Sequence, residues 1–321
     1  MTLPVRKAFV LGAGLGTRLR PLTNLLPKPL LPIFGKPLIT FALDHLCHAG
    51  VEAFVLNTHH LPEKFVEEFP DAEYRAVPLS LIHEPELLET GGGIKNIESQ
   101  IGNELFVVYS GDILTDLPIE RLIEEHWSRQ NDVTLALRTT KFSTSVHWSS
   151  ESGRVLDIQG ALGTGAKGEF DFAGISIWNP SVFSRIPPRT KISFIPILTE
   201  WIKEGGKVGG VALEEGRWFN IGSSKDYVAA HKIIAEEQWI PYYLRSGPWP
   251  LRIDPSARIS PRARIEGGSC VGARCQVADR VLMRDSVLLP GSSVPHDTTL
   301  QSCIVAGVKL NPGTYLESVF L

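Results

Sequence analysis

The sequence predicts an α/β fold, a doubly wound and mostly parallel sheet, followed by a left-handed parallel β-helix. Three observations carry this prediction. Strand and helix patterns alternate from Lys7 to about Glu237. Glycines and polar residues stand directly after several of the predicted strands. A six-residue apolar period begins at Ile253 and continues for seven matches, which indicates β-helix coils.

Length and composition describe an ordinary globular protein. At 321 residues the chain suits about two domains, and we expect an α/β domain over 1–237, a linker over 238–250 and a β-helix over 251–321. The 43% apolar content is typical of a packed core. A net charge of -3 gives no reason to expect nucleic acid or an anionic membrane as a partner. A phosphate ligand would therefore need a local cluster of cations.

The cysteine pattern predicts a reducing compartment. The four cysteines form neither a CxxC motif nor a metal-binding set, and a chain of this size needs no disulfides. The first residues lack the apolar length and cleavage site of a secretory signal, and no stretch approaches about 18 apolar residues. We therefore expect a cytoplasmic protein that neither crosses nor binds a membrane.

The elements of the first domain follow from apolar periodicity. The run "KAFVL" predicts a strand that ends at Gly12, and "PLITFALDHLCHAG" predicts a helix that ends at Gly50. Further strands are predicted at "EAFVLNT", "LSLIHE", "ELFVVYSGD" and "DVTLALR", and further helices at "PEKFVEEF", "IKNIESQI" and "IERLIEEHWSR". Because ligands bind at the carboxyl ends of such strands, the segments 12–18, 84–93 and 111–112 are candidate site segments.

The second half of the chain changes its pattern twice. From about Arg138 the strands become glycine-rich, at "GRVLDIQG", "EFDFAGISIWN", "KVGGVAL" and "RWFNIG", before the helix "SKDYVAAHKIIAEEQW". Beyond the linker, one apolar residue recurs in every hexad, which predicts inward-facing positions of a β-helix. The expected inward positions are Ile253, Ile259, Ile265, Val271, Val277, Met283 and Leu289, then Ile304, Leu310 and Leu316.

The glycine-rich stretch "LGAGLGTRLRPLTNLLPKP" excludes two familiar nucleotide motifs. A dinucleotide fingerprint needs its third glycine three positions after the second and a helix starting there. Here Gly16 follows Gly14 by two positions, and three prolines exclude a helix. No GK[ST] sequence closes a P-loop. The remaining interpretation is a loop whose backbone amides approach phosphates, with Arg18 and Lys28 on an extended arm.

That stretch resembles the opening of the sugar-1-phosphate nucleotidyltransferases, or nucleotide-sugar pyrophosphorylases. The pattern G-x-G-T-R-x-x-P-x-T followed by P-K-P is long and specific, and "LLETGGGI", "VVYSGDI", "FAGISIW" and "RWFNIGS" extend the resemblance. It implies transfer of a nucleotidyl group from a nucleoside triphosphate to a sugar 1-phosphate, with release of pyrophosphate. Since the substrate supplies the nucleophile, catalysis requires positioning and charge neutralisation.

The resemblance assigns the phosphate and metal residues. Arg18 and Lys28 would contact the triphosphate, and Asp112 would be the first Mg²⁺ ligand, with a plain strand-end aspartate as the alternative. The second ligand position holds Asn220 where many relatives carry aspartate, which makes the site one negative charge poorer. Lys167 and Lys191 are candidates for the sugar phosphate, with a solvated lysine as the alternative for each. The implied nucleotide-binding residues are Leu11, Gly12, Ala13, Gly14, Gly16, Thr17, Arg18, Glu84, Thr90, Gly91 and Gly92.

The sequence indicates the residues that would bind the base and the sugar less clearly than those for the phosphates. Glu84 lies six residues before Thr90, where related enzymes often carry a base-reading glutamine. A carboxylate accepts from both guanine donors, so Glu84 favours guanine, with an exposed loop glutamate as the alternative. Gly174 and Trp218 are the candidate sugar-side residues, although Trp218 equally suits a core position.

The resemblance implies two substrate pairs and one non-catalytic alternative. GTP with mannose 1-phosphate is the first expectation, and uridylyl transfer to an N-acetyl amino sugar phosphate such as MurNAc 1-phosphate is the second. The third is a regulatory subunit that senses a nucleotide-sugar, which Arg18, Lys28 and Asp112 disfavour. The tail contains only His296 as a base for acyl transfer, so we expect it to support packing or homo-oligomerisation.

Overall fold

The computed structural model describes residues 5–140, 146–165 and 168–321. The chain forms two compact units. The first comprises Met1–Gly14 and Ala42–Trp218, and the second comprises Leu15–Phe41 and Phe219–Leu321. The arm that carries Arg18 and Lys28 therefore belongs to the second unit. The predicted domain boundary after residue 237 and the linker over 238–250 stay predictions.

Strands and helices alternate as the sequence predicts. The strands before the β-helix are Lys7–Leu11 (β1), Pro32–Ile33 (β2), Lys36–Pro37 (β3), Ala53–Thr58 (β4), Glu73–Tyr74 (β5), Val77–His83 (β6), Phe106–Ser110 (β7), Ile113–Thr115 (β8), Val133–Arg138 (β9), Val146–Trp148 (β10), Val155–Ile158 (β11), Asp171–Trp178 (β12), Val208–Ala212 (β13) and Trp218–Asn220 (β14). The helices are Leu38–His48 (α1), Pro62–Glu68 (α2), Glu89–Asn96 (α3), Glu98–Ile101 (α4), Ile119–Ser128 (α5), Phe194–Lys203 (α6) and Ser224–Glu237 (α7). None of the helices in the described ranges has the length and apolar character that a bilayer crossing needs.

The first unit is built on one mostly parallel sheet. Its strand order is β13-β9-β12-β7-β1-β4-β6-β5. Strand β1 pairs in parallel with β4 and β7, whereas β12 runs antiparallel between β7 and β9. The parallel registers place Leu11 beside Asn57 on one side and beside Ser110 on the other. Strands β1, β4 and β7 consequently end at the same edge of the sheet, which confirms the predicted architecture.

The third helix begins earlier than the sequence predicts. We expected a helix only after the glycine triplet, over "IKNIESQI", but α3 begins at Glu89 and includes all three glycines. The expected helix is also divided, because α3 ends at Asn96 and α4 begins at Glu98. Glycine is a weak helix former, and close packing of another segment on this helix outweighs that propensity, as the site shows below.

The second unit begins with an extended arm that contains no α-helix before Leu38, as its prolines predict. Three short 3₁₀ turns occur instead, at Thr17–Leu19, Leu22–Asn24 and Lys28–Leu30. Side chains from later in the unit hold the end of the arm. Tyr227 donates a hydrogen bond to the Pro32 carbonyl, His231 Nε2 accepts from the Phe34 amide at 3.3 Å, and Trp249 donates to the Ile33 carbonyl at 2.9 Å.

The tail is a parallel β-helix with three ladders of strands. The strands are Arg258–Ile259 (β15), Arg264–Glu266 (β16), Cys270–Val271 (β17), Gln276–Val277 (β18), Leu282–Arg284 (β19), Val287–Leu289 (β20), Ser293–Val294 (β21), Thr299–Gln301 (β22), Ile304–Ala306 (β23), Thr314–Leu316 (β24) and Val319–Phe320 (β25). The ladders are β15-β18-β21, β16-β19-β22-β24 and β17-β20-β23-β25. Parallel pairing in each ladder confirms the predicted stacking of coils, whereas the hand of the coil stays a prediction.

The inward-facing residues depart from the six-residue period after Met283. Ile265 pairs with Met283 eighteen residues on, which is three hexads, but Met283 pairs with Leu300 only seventeen residues on. The later coils are shorter than three hexads. The residues that face inward in them therefore lie one position away from those that a strict six-residue period predicts. The prediction is therefore wrong at three positions: Leu288, Val305 and Tyr315 align with the inward residues of the earlier coils, in place of Leu289, Ile304 and Leu316.

Replacing Leu300 with alanine should lower the free energy of unfolding by about 2–5 kcal/mol, because the side chain is fully buried inside the coils. Leu316 is 59% exposed, so Leu316→Ala should change that free energy by less than about 0.5 kcal/mol. Urea unfolding of both variants measures the difference. Equal losses would contradict the assignment, because they would mean that Leu316 is packed as fully as Leu300.

Stability should fall in acid because of His231. Burial lowers the pKa of His231 from 6.5 to about 4, since its ring is fully enclosed. The unfolded chain binds this proton between pH 6.5 and 4 and the folded chain does not, so stability is complete above pH 6.5 and is lost towards pH 4. A histidine that is protonated only in the unfolded chain changes the free energy of unfolding by about 1.4 kcal/mol per pH unit over this range.

Urea unfolding between pH 7 and 4.5 measures this slope. His231→Gln keeps an acceptor for Phe34 and a donor for the Tyr227 carbonyl without titrating, so it should reduce the slope by about 1.4 kcal/mol per pH unit. His45 and His126, whose pKa values burial also lowers, should supply the slope that remains. The exposed His83 gives the control His83→Gln, which should keep the wild-type slope. An unchanged slope in His231→Gln would contradict the assignment.

Candidate active site

The loop after β1 is held by hydrogen bonds on both sides. Gly12 donates its amide to Asn57 Oδ1 at 2.8 Å, and the Leu11 carbonyl accepts from the Gly111 amide at 2.9 Å. A Cβ on Gly12 would lie 2.7 Å from the Asn57 carbonyl oxygen, so only glycine fits there. The amides of Ala13 and Gly14 come next in the loop, and nothing lies within 4 Å of a Cβ built on Gly14.

Asp112 follows β7 after one residue, Gly111, and is partly exposed. Its neighbours Ser110 and Ile113 contact Gly174, where a Cβ would lie 2.8 Å from Ile113 Cδ1 and 3.2 Å from Ser110 Oγ. Gly174 has a φ of +87 and lies in an irregular stretch of β12, so both its conformation and its space require glycine. The half-buried Trp218 donates to the Ala173 carbonyl at 2.8 Å. The structure thus places Gly174 against Ser110 and Ile113, on either side of Asp112, and Trp218 against Ala173, the neighbour of Gly174.

Glu84 is buried, with 1% of its surface exposed. Its Oε1 accepts from Asn57 Nδ2 at 2.8 Å, and its Oε2 accepts from the Leu88 amide at 3.1 Å. Its backbone is also fixed, because the amide donates to the Thr58 carbonyl and the carbonyl meets His59 Nδ1 at 2.7 Å. Glu84 is therefore not the exposed loop glutamate that stood as the alternative, and its role as a base reader stays a prediction.

The segment 190–194 packs directly on the first turn of α3. The amides of Gly91 and Gly92 both donate to the Ile192 carbonyl, at 2.8 and 3.0 Å, and Thr90 Oγ1 accepts from the Phe194 amide at 3.0 Å. A Cβ on Gly92 would lie 2.3 Å from the Thr190 carbonyl oxygen. The amides of these two predicted nucleotide-binding residues are therefore already bonded within the protein.

The remaining predicted residues lie in the second unit. Gly16 has a φ of +58, and a Cβ there would lie 2.8 Å from Thr23 Cγ2 and 3.2 Å from Lys28 Cβ. Thr17 and Arg18 form the turn that follows, and both are exposed, whereas Lys28 is only 8% exposed. Arg18 Nη2 lies 3.3 Å from the position of a Cβ on Gly222, whose amide donates to the Asn220 carbonyl at 2.9 Å. Arg18 and the segment that begins at Asn220 are thus close together.

Asp112 and Asn220, the two predicted metal ligands, each carry a side-chain oxygen of the kind a hard cation accepts. Carboxylate and amide oxygens are ligands that Mg²⁺ accepts, with phosphates and water completing its shell. Within residues 5–140, 146–165 and 168–321, no group of three or more His, Cys, Asp or Glu side chains could hold a metal ion. A metal held by either residue would therefore take most of its ligands from a phosphate substrate and water.

Two lysine candidates remain unassigned. The side chain of Lys191 is 65% exposed, and its Nζ lies 4.0 Å from Glu89 Oε1. This long, exposed ion pair does not fix the side chain in one place. Lys167 lies outside the described residues.

Asn57 is the residue of this site that sequence reasoning missed. It follows the apolar run "AFVL" and is 2% exposed. The sequence carried a usable signal, because a polar side chain at the carboxyl end of a buried parallel strand is the same feature that identified Asp112. The strand was correctly predicted, but the side-chain amide of Asn57 was not considered as a member of the site.

Comparison with known proteins shows which family most of the chain is similar to. Residues 7–237 match the family described as nucleotidyl transferase. The chain is 28% identical over 291 residues to a mannose-1-phosphate guanylyltransferase of Mycobacterium tuberculosis, covering 89% of this chain and 80% of the relative. It is 30% identical over 322 residues to a mannose-1-phosphate guanyltransferase of Hypocrea jecorina, covering 93% and 85%.

A solved structure shares the fold of the larger part of the chain. The inositol-1-phosphate CTP transferase from T. maritima superposes with a TM-score of 0.60 at 20% identity, covering 70% of this chain and 93% of that one.

Replacing Gly92 with alanine should displace the segment 190–194, because the new methyl group would overlap the Thr190 carbonyl. We expect a loss of about 1–3 kcal/mol in the free energy of unfolding and faster tryptic cleavage after Arg189 and Lys191. Gly247→Ala is the control, since a Cβ there meets only the Leu244 carbonyl at 3.5 Å. Wild-type cleavage rates in Gly92→Ala would contradict the packing.

Proposed function

The chain belongs to the nucleotidyl transferase family, and on that premise we propose that it transfers a guanylyl group from GTP to mannose 1-phosphate, releasing pyrophosphate. The observation that carries the substrate pair is the nearly full-length similarity to two mannose-1-phosphate guanylyltransferases, from a bacterium and a fungus. Both alignments extend beyond the family match into the β-helix region of this chain.

In this proposal, an oxygen of the sugar phosphate attacks the α-phosphorus while the bond from that phosphorus to the pyrophosphate leaving group breaks. The enzyme contributes donors and charge and no covalent nucleophile. Backbone amides of Ala13, Gly14 and Gly16, with the Thr17 side chain, bind phosphate oxygens. Arg18 and Lys28 neutralise the triphosphate and stabilise the charge that grows on the leaving group.

Asp112 and Asn220 are the proposed Mg²⁺ ligands. The ion, when bound, screens the charge of the phosphates and helps to align them. Because Asn220 is neutral, the protein offers a single negative charge from these two residues, and we expect weaker metal affinity than two carboxylates would give. Gly174 and Trp218 are the proposed sugar-side residues, supported by their contacts beside the strand end at Asp112.

A second pair of substrates, a nucleotide and a sugar phosphate, has one specific observation in its favour. Both carboxyl oxygens of Glu84 are bonded to Asn57 and Leu88, which weakens the sequence argument for guanine. Uridylyl transfer to an N-acetyl amino sugar 1-phosphate such as MurNAc 1-phosphate therefore stays as the alternative. A nucleotide-sugar-sensing subunit without turnover is the alternative of another class.

We further propose that the protein is cytoplasmic and associates with itself through the β-helix. The free, buried cysteines Cys270, Cys275 and Cys303 favour a reducing compartment. The last coil leaves Leu316 59% exposed and Leu321 40% exposed, which favours a contact at this end of the tail.

Pyrophosphate release, measured with four nucleoside triphosphates and a panel of sugar 1-phosphates with Mg²⁺, should be highest for GTP with mannose 1-phosphate. Asp112→Ala should lower kcat by about a hundredfold or more, because it removes the only charged ligand proposed for the metal. Asp71→Ala, at an exposed loop position, is the control and should retain wild-type turnover.

Turnover only with UTP would replace the first pair by the second. Absence of turnover with every pair, together with binding of a nucleotide-sugar, would establish the sensing subunit. Full activity in Asp112→Ala would remove the metal assignment.

A further inference from the structure

We propose that Glu84 is a positioning residue, which holds the loop after β1 through Asn57 and does not read the base. This inference rests on the proposed function, because the loop is the proposed phosphate-binding segment. It assigns a role to a buried pair of side chains that connects the ends of three parallel strands, β1, β4 and β6.

The pair forms a continuous chain of hydrogen bonds. The Gly12 amide donates to Asn57 Oδ1, Asn57 Nδ2 donates to Glu84 Oε1, and the Leu88 amide donates to Glu84 Oε2, with distances of 2.8, 2.8 and 3.1 Å. Asn57 and Glu84 are only 2% and 1% exposed. Water therefore cannot readily replace a lost partner, and every bond in this chain matters for the loop.

The two ends of this chain of hydrogen bonds determine which side chains can lie between them. Both ends are backbone amides, of Gly12 and Leu88, and both can only donate. Between two fixed donors, a pair made of amides and ionised carboxylates completes its bonds only if one side chain is an amide and the other a carboxylate. A carboxyl at 84 thus forces the Asn57 amide to point its oxygen at Gly12, which fixes the first residue of the loop.

The space around the pair is also specific. A Cβ on Gly93 would lie 3.1 Å from Asn57 Nδ2 and 3.2 Å from Glu84 Oε1. The third glycine of the triplet therefore leaves room for the pair, while the first two glycines receive the segment 190–194. The Leu88 amide, the second end of the chain, lies just before this helix.

The consequence for catalysis does not depend on the base. Ala13 and Gly14 follow Gly12 immediately, so a Gly12 that loses its acceptor shifts the amides proposed to bind phosphate. All nucleoside triphosphates share these phosphates. A positioning role therefore predicts equal losses for every nucleotide, whereas a base-reading role predicts a changed preference among nucleotides.

Four variants test this inference. Glu84→Gln alone leaves two donors facing each other in every amide orientation, and Asn57→Asp alone leaves two carboxyl groups facing each other. The double variant Asn57→Asp/Glu84→Gln restores one amide and one carboxyl in reversed order, with acceptors for both backbone amides. Glu124→Gln makes the same chemical change at an exposed position of α5, outside the candidate site segments, and is the matched control.

We expect each single variant to lose about tenfold or more in kcat/KM with all four nucleotides. The KM for the nucleotide should rise while the KM for the sugar phosphate stays constant, at a temperature where all variants are folded. The ratio of GTP to UTP turnover should stay within about twofold of wild type, and the double variant should recover to within about threefold. Glu124→Gln should match wild type.

Two outcomes would overturn the inference. One is a Glu84→Gln enzyme whose GTP to UTP ratio changes about tenfold, and the other is a double variant no better than the single variants. Where a single variant does not fold, a double variant that also fails to recover folding and turnover would overturn the inference. If wild type releases no pyrophosphate, the proposed function fails, and recovery of urea resistance and Gly12 amide-exchange protection in the double variant still tests the inference.

Discussion

The first unit depends on the parallel register that aligns Leu11 with Asn57 and with Ser110. Shifting any of these strands by one residue would reverse the faces of its side chains and break the alignment. With the register in place, the Gly12 amide meets the Asn57 side chain and the Leu11 carbonyl meets Gly111. The arrangement of polar groups at this edge thus follows from the pairing of three buried apolar strands.

The same alignment explains what could be read from the sequence. Apolar runs that stop at glycine or a polar residue identified β1, β4 and β7, and with them the edge at which Asp112 lies. The sequence could not show that Glu84 is buried, because its partners Asn57 and Leu88 are chosen by the fold and not by their spacing along the chain. A charged residue in a loop-like sequence is usually solvated, and only the paired donors make its burial tolerable.

The glycine triplet illustrates a second limit. From the sequence alone, three glycines mark the end of a loop, yet here they belong to α3. The reason is tertiary: the Thr190 and Ile192 carbonyls approach this helix too closely for any side chain at Gly92 or Gly91. Local propensity and long-range packing disagree at this point, and packing determines the structure.

The β-helix shows that pairing and periodicity are separable. Its coils pair over eighteen, seventeen and fifteen residues, from Ile265 to Met283, Leu300 and Tyr315, while each ladder keeps its register. Differences in length are absorbed at the corners between strands. Over evolutionary time, small insertions and deletions at these corners are therefore nearly neutral for the fold, and the tail can lose its visible repeat long before it loses its architecture. Relatives whose tails look irregular in sequence can still carry the same stack of coils.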